Sequence, residues 1–170
     1  MRVVALMRGV NTGGVRFPMK ELAAALTEAG HGEVRTVLAS GNVVLDADSA
    51  AAGAAAVHHV VQQRFGFDLA VVAVPVEAVR TAVAAYPFAR GADRHAYVVF
   101  ATDPSALPPL LDEPRDDDER VAAGDGVVFW DAPKGRTLDS PFGKRFGRWQ
   151  RSGAVTTRNI NTLEKILAAG

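Results

Sequence analysis

No cysteine occurs among the 170 residues, which removes disulfides, thiolate metal ligands and cysteine nucleophiles at once. Net charge is missing as well: Lys and Arg number 19, and so do Asp and Glu. Without a basic or acidic excess the chain has no overall field to draw it to nucleic acid or to an anionic membrane. The first residues lack the charged start, apolar core and small-residue cleavage site of a secretory signal, and no apolar run approaches the length of a membrane span. A cytoplasmic protein without membrane contact is expected. The four histidines have no metal-ligand spacing, since His58 and His59 are adjacent on a helix, His31 sits in a turn and His95 begins a strand. Neither a metal site nor a cofactor is expected, and no serine stands in an elbow motif with histidine and acid partners in evident order.

Apolar residues make up 48% of the chain, enough to build a core, and fifteen arginines against four lysines match the coding bias of a GC-rich bacterial genome. Charge is unevenly spread. Residues 103–131 carry nine carboxylates against Arg115 and Arg120, whereas residues 134–165 carry eight cations against Asp139 and Glu164. Segments of opposite sign so close in sequence are expected to pair with each other.

Hydrophobic periodicity supplies the element order. Residues 3–7 are apolar without alternation, as in a central strand. Met19, Leu22, Ala23 and Leu26 recur at helical spacing after Pro18, and Gly30 or Gly32 ends that helix. Residues 34–38 and 43–45 are β-rich runs around Ala39-Ser40-Gly41-Asn42, which predicts a tight hairpin. Ser49 is the expected N-cap of an alanine-rich helix that buries Val57, Val60, Val61 and Phe65 and closes at Gly66. Residues 69–74 form a further strand, and a short helix over 76–85 leaves the unit. The order βαββαβ is that of a ferredoxin-like α/β sandwich.

Proline, glycine and charge in residues 86–93 mark a boundary. The expected organisation is an N-terminal domain over 1–88, a linker over 89–94 and a C-terminal domain over 95–170. The second half offers a strand over 95–100, a proline-interrupted helical turn over 104–111, an exposed acidic loop over 112–119 and a hairpin over 120–130. Phe142, Phe146 and Trp149 then share one helical face, a short strand covers 154–156, and a last helix carries Ile160, Leu163, Ile166 and Leu167. This repeats βαββαβ with an added helix. The fold class is therefore α+β, two tandem ferredoxin-like units with antiparallel sheets and a C-terminal helix.

Four pieces are recognisable in this order: Leu6-Met7-Arg8-Gly9-Val10-Asn11-Thr12-Gly13-Gly14, Ser40-Gly41-Asn42-Val43-Val44, Tyr86-Pro87-Phe88, and Thr156-Thr157-Arg158-Asn159-Ile160-Asn161-Thr162. On these motifs the chain resembles the bacterial family catalogued as domain of unknown function 1697, over nearly its whole length. The resemblance implies two ferredoxin-like domains in tandem and supplies no activity or catalytic residue. One departure is Ile160, where the family's pattern has tryptophan.

Two motifs stand out for chemistry, each with a structural alternative. Gly13 and Gly14 follow a buried strand and precede a helix, with Arg8, Asn11, Arg16 and Lys20 around them. Glycines let the backbone approach a ligand, and a helix start presents N–H groups to an anion. The loop has neither the lysine and hydroxyl of a P-loop nor the spacing of a dinucleotide fingerprint, so a plain turn explains it equally well. An exposed helix start contributes only roughly 0.3–1 kcal/mol per charge, which leaves most of any affinity to the cations. The Thr156-Thr157-Arg158-Asn159 turn before the last helix is either a helix cap at Thr157 or Asn159 or an oxyanion clamp in which the Arg158 guanidinium gives bidentate donors. Ser40 and Asn42 read as hairpin chemistry or as further ligand contacts.

The leading expectation is a protein that binds a phosphorylated small molecule or nucleotide in a groove formed by both motifs. Single-stranded nucleic-acid binding is the alternative, although residues 3–7 and 43–45 hold no aromatic to stack on, leaving Tyr97 and Phe100. The basic run Lys134, Arg136, Lys144, Arg145, Arg148 and Arg151 reads as a phosphate track or as the solvated face of an amphipathic helix. An enzyme using Arg8 or Arg158 to stabilise charge lacks an evident base, and a homo-oligomer joined through sheet faces or edges is a further alternative.

Overall fold

In a computed structural model of the chain, which describes residues 1–11, 14–152 and 155–170, strand β1 (Arg2–Met7) is the centre of the first sheet. Val3, Ala5 and Met7 face a helical layer, and Val4 and Leu6, which alternate to the other face, are equally buried. A strand covered on both sides needs apolar residues at every position, which is why its sequence shows no alternation.

Helix α1 (Met19–Glu28) follows β1 and buries Leu22 and Leu26. Strands β2 (Arg35–Val37) and β3 (Asn42–Asp46) form the expected hairpin. Helix α2 (Ala50–Phe65) begins with Ser49 Oγ accepting from the Ala52 N–H at 3.0 Å and ends at Gly66 with φ of 74°. These are the two residues the sequence marks as its caps. Strand β4 (Val71–Pro75) completes an antiparallel sheet in the order β2-β3-β1-β4, with Ala5 opposite Val43 and Ala73.

After α3 (Val76–Ala84), the second sheet is built on β5 (Arg94–Ala101). Two short 3₁₀ turns, Pro104–Ala106 and Pro108–Asp112, stand where the first unit has a helix; the three prolines in this stretch withhold the N–H groups a longer helix needs. Hairpin β6 (Arg120–Ala123) and β7 (Val128–Pro133), helix α4 (Pro141–Arg151) and strand β8 (Val155–Asn159) follow. The order β6-β7-β5-β8 repeats that of the first sheet position for position. Both units are ferredoxin-like, and α5 (Ile160–Ala169) is the added C-terminal helix.

The second core is aromatic. Trp130 lies 5.0 Å from Phe142 and 5.8 Å from Phe146 between ring centroids, and its Nε1 donates to Glu119 Oε1 at 3.1 Å. Glu119 is thus buried, and Glu113 accepts from Trp149 Nε1 at 2.9 Å, so these two residues of the acidic loop are tied into the fold while Asp112, Asp117 and Asp118 are exposed. The opposite charges do pair: Arg136 lies 2.9 Å from Asp116 and 3.5 Å from Asp118, and Arg145 lies 3.7 Å from Glu113.

Contacts divide the chain into two units, Met1–Arg80 with Glu164–Gly170, and Thr81–Leu163. The divisions fall inside α3 and inside α5. No helix among the described residues is long and apolar enough to cross a membrane.

Candidate functional site

In the first unit the glycine loop and the Ser40-Gly41-Asn42 turn are one assembly. The Met7 N–H donates to Gly41 O at 2.8 Å, and a Cβ on Gly41, whose φ is 86°, would stand 3.0 Å from Met7 Cβ and 3.1 Å from Val10 Cβ. Only glycine suits both the left-handed backbone and that approach. Asn11, itself left-handed with φ of 55°, donates from Nδ2 to Ala39 O at 2.7 Å and to Phe17 O at 3.3 Å. Asn42 is fully buried and donates to Val37 O at 2.8 Å and to Ser40 Oγ at 3.3 Å. Asn11 therefore ties the two loops together, whereas Asn42 and Ser40 brace the hairpin turn itself, and both bonds of the Asn11 amide go to backbone.

Other candidates sit differently. Arg8 is half-buried and its N–H donates to Ala70 O at 3.2 Å. Lys20 is exposed in the first turn of α1, and a Cβ on exposed Gly14 would meet nothing within 4 Å, so no packing demands glycine there. Gly13 lies outside the described residues.

Thr157, Arg158 and Asn159 belong to the other unit, and the expectation of a turn is corrected: all three are in β8, paired with Val99, Val98 and Tyr97. Cross-strand pairing with β5 prevails over the local turn tendency of Asn, helped by the β-preference of threonine. Thr157 Oγ1 donates to Val98 O at 3.3 Å, and Arg158 Nη1 donates to Thr156 Oγ1 at 3.0 Å and Thr157 O at 2.9 Å. Burial lowers the Arg158 pKa to about 10, which still leaves it a cation at neutral pH. Asn159 caps α5, its Oδ1 accepting from the Asn161 N–H at 2.9 Å. Ile160, the departure from the family pattern, is a buried core residue.

The second unit holds a cavity of about 570 Å³ whose lining includes Arg90, Arg94, His95, Lys134, Asn159 and Asn161. Antiparallel pairing of β5 and β7 sets Arg94 opposite Pro133 and so brings Lys134 beside it. At its base lies fully buried Asp131, which accepts from Arg94 Nε, from Arg120 Nη2 at 2.8 Å and from Tyr86 Oη at 3.2 Å. Burial, reinforced by the Asp131 charge and that hydrogen bond, raises the Tyr86 pKa above the usual phenol value. Tyr86 also meets Phe88 and Phe129 edge-on, each at 5.6 Å, and Arg120 lies 5.2 Å over Phe88. The Tyr86-Pro87-Phe88 motif is thereby explained as the wall that encloses a buried carboxylate. At the rim Arg90 Nη2 donates to Asn161 Oδ1 at 2.5 Å.

A model for the family of proteins of unknown function DUF1697 matches residues 1–129. The chain belongs to this family. Beyond that match lies the motif 156–162 of this DUF1697 protein, as do Lys134 and the first turn of α5. No curated protein matches it. It is similar to the conserved bacterial protein SP0830 from Streptococcus pneumoniae, at 22% identity and a TM-score of 0.79, over 99% of this chain and 97% of that one, a likeness of fold.

Sequence reasoning missed Arg90, Arg94 and Lys134 as a group, because they lie in three segments that only strand register assembles. Phe100 is buried, and Tyr97 packs 5.1 Å from Trp130 in the core, so the two aromatics left for base stacking form no open platform. Among the described residues no group of three or more potential ligands gathers for a metal ion.

Proposed function

We propose that this DUF1697 protein binds a phosphorylated small molecule or nucleotide, and that the phosphate is received in the second unit by Lys134, Arg90 and the first turn of α5. The observation that carries the reading is the charge balance around the cavity. Among the described residues that line it, Arg90, Arg94 and Lys134 are the cations and Asp131 is the one carboxylate. Asp131 is already matched by two guanidiniums, so among the described residues the exposed ammonium of Lys134 pairs with no buried acid. The first turn of α5 lies beside it at Thr162, the Asn161 N–H being taken by the Asn159 cap, and the volume lies in the usual range of small-ligand sites.

The test is a melting-temperature panel of nucleoside phosphates, phosphosugars and pyrophosphate. A ligand present at roughly a hundred times its dissociation constant adds about 2.7 kcal/mol, or about 5–11 °C in a chain of this size. Lys134→Ala reduces that rise, and Lys134→Glu abolishes it. A panel without any rise refutes phosphate binding, and a rise that Lys134→Glu leaves intact refutes the location.

A further inference from the structure

A second concavity lies in the first unit. It measures about 650 Å³ and is lined by Arg16, Phe17, Pro18, Met19, Leu38 and their neighbours. Its floor is rigid, because Phe17 stacks on Phe65 at 4.5 Å and faces Phe67 at 6.1 Å. Its two walls, the segment from Arg16 to Met19 and the β2–β3 turn, are bolted by the Asn11 amide.

Two features of this groove are costly to the fold. Leu38 is 45% exposed, one of three large apolar residues on the surface among the described residues. It also adopts φ of 58°, a left-handed conformation that a bulky side chain disfavours and that Asn or Gly would take with ease. Folding has no use for a strained leucine presented to water. Strain at such a position points to a function served by the side chain. The charge in the groove is equally one-sided: Arg16 is exposed, and no carboxylate among the described residues lies within ion-pair distance of it.

We propose that this groove binds a hydrophobic carboxylate, an acyl or aryl acid whose apolar body lies on Phe17, Met19 and Leu38 and whose anionic end pairs with Arg16. The site is separate from the phosphate cavity and does not depend on it. Neutral apolar compounds fill the groove without using the guanidinium, and short acids use the guanidinium without filling the groove. The acid with a chain is the ligand that uses both.

The experiment follows the Met19 and Leu38 methyl resonances of the full chain during titration with octanoate, 1-octanol and acetate. Octanoate gives saturable shifts at both methyls, at least 5-fold tighter than 1-octanol, and acetate gives none. Arg16→Ala brings octanoate down to the affinity of 1-octanol. Leu38→Asn separates binding from folding: relief of the left-handed strain raises the melting temperature by about 2–4 °C, while octanoate affinity falls at least 5-fold. The proposal is overturned if octanoate fails to saturate, if Arg16→Ala binds as tightly as the parent, or if Leu38→Asn keeps full affinity.

Discussion

Helix α4 carries two glycines that the structure treats oppositely, and a matched pair of alanine substitutions exposes the difference. A Cβ at Gly143 would lie 1.8 Å from the Thr137 carbonyl oxygen and 2.9 Å from Ser140 Oγ, whereas a Cβ at Gly147 would meet nothing closer than Arg151 Nη1 at 3.9 Å. Replacing a helical glycine by alanine gains about 1 kcal/mol of propensity when nothing obstructs it. Gly147→Ala therefore stabilises by about that amount. At position 143 a backbone oxygen has to retreat from 1.8 Å to the 3.4 Å at which ordinary contact begins, and the segment that moves includes the helix cap. Ser140 Oγ accepts from the Gly143 N–H at 3.0 Å, so its loss adds about 1 kcal/mol to an overpacking cost of roughly 1–3 kcal/mol. After the propensity gain is subtracted, Gly143→Ala destabilises by about 2 kcal/mol. At about 2–4 °C per kcal/mol for a chain of this length, thermal melting by circular dichroism places Gly143→Ala about 4–8 °C below the parent and Gly147→Ala about 2–4 °C above it. A Gly143→Ala protein that melts at or above the parent temperature refutes the argument.

Asp131→Asn leaves Arg94 and Arg120 facing a neutral amide, and the partial exposure of both guanidiniums puts the loss near the low end for a broken buried pair, about 3 kcal/mol, read as a lower urea midpoint at unchanged slope. Glu77→Gln, which breaks the exposed pair with Arg80 at 3.1 Å, changes the stability read from the same curves by no more than about 0.5 kcal/mol; equal losses in the two variants would contradict the weight given to burial. Tyr86 binds its proton more tightly folded than unfolded, so its contribution is complete below the ordinary phenol pKa of 10.0 and is lost as pH climbs toward the raised folded value. Between pH 9 and 11, by roughly one unit either side of the phenol value, the parent consequently loses more stability than Tyr86→Phe; the Arg158 effect in the same window is common to both proteins and cancels. Identical pH profiles would remove the buried phenol from the account.

The sequence spoke clearly where one residue type has one local use. Ser49 and Gly66 bracket α2, Gly41 makes the hairpin, and apolar β1 lies at the centre of its sheet. It was silent where pairing decides. Thr157-Arg158-Asn159 reads as a turn because nothing local shows that β5 offers a free edge. The candidate sites divide in the same way. Asn11, Ser40 and Asn42 were legible as polar residues near glycine, but the use of Asn11 as a bolt between two loops depends on Ala39, 28 residues away. The basic cavity needs the β5–β7 register, and the strain at Leu38 needs a backbone angle.

The last turn of α5 belongs to the first unit, where the backbone of Gly170 lies such that a Cβ would stand 3.4 Å from Val44 Cγ1. The first unit is therefore discontinuous in sequence, and that order matters during synthesis. Residues 1–80 leave the ribosome long before residues 164–170 exist, with the whole of residues 81–163 made in between. A nascent first unit waits through that interval with the β3 face around Val44 uncovered, which makes the translation of the second unit the period of greatest exposure to chaperones and to aggregation. A protease that cuts once between the units likewise leaves the first unit without the turn that finishes it.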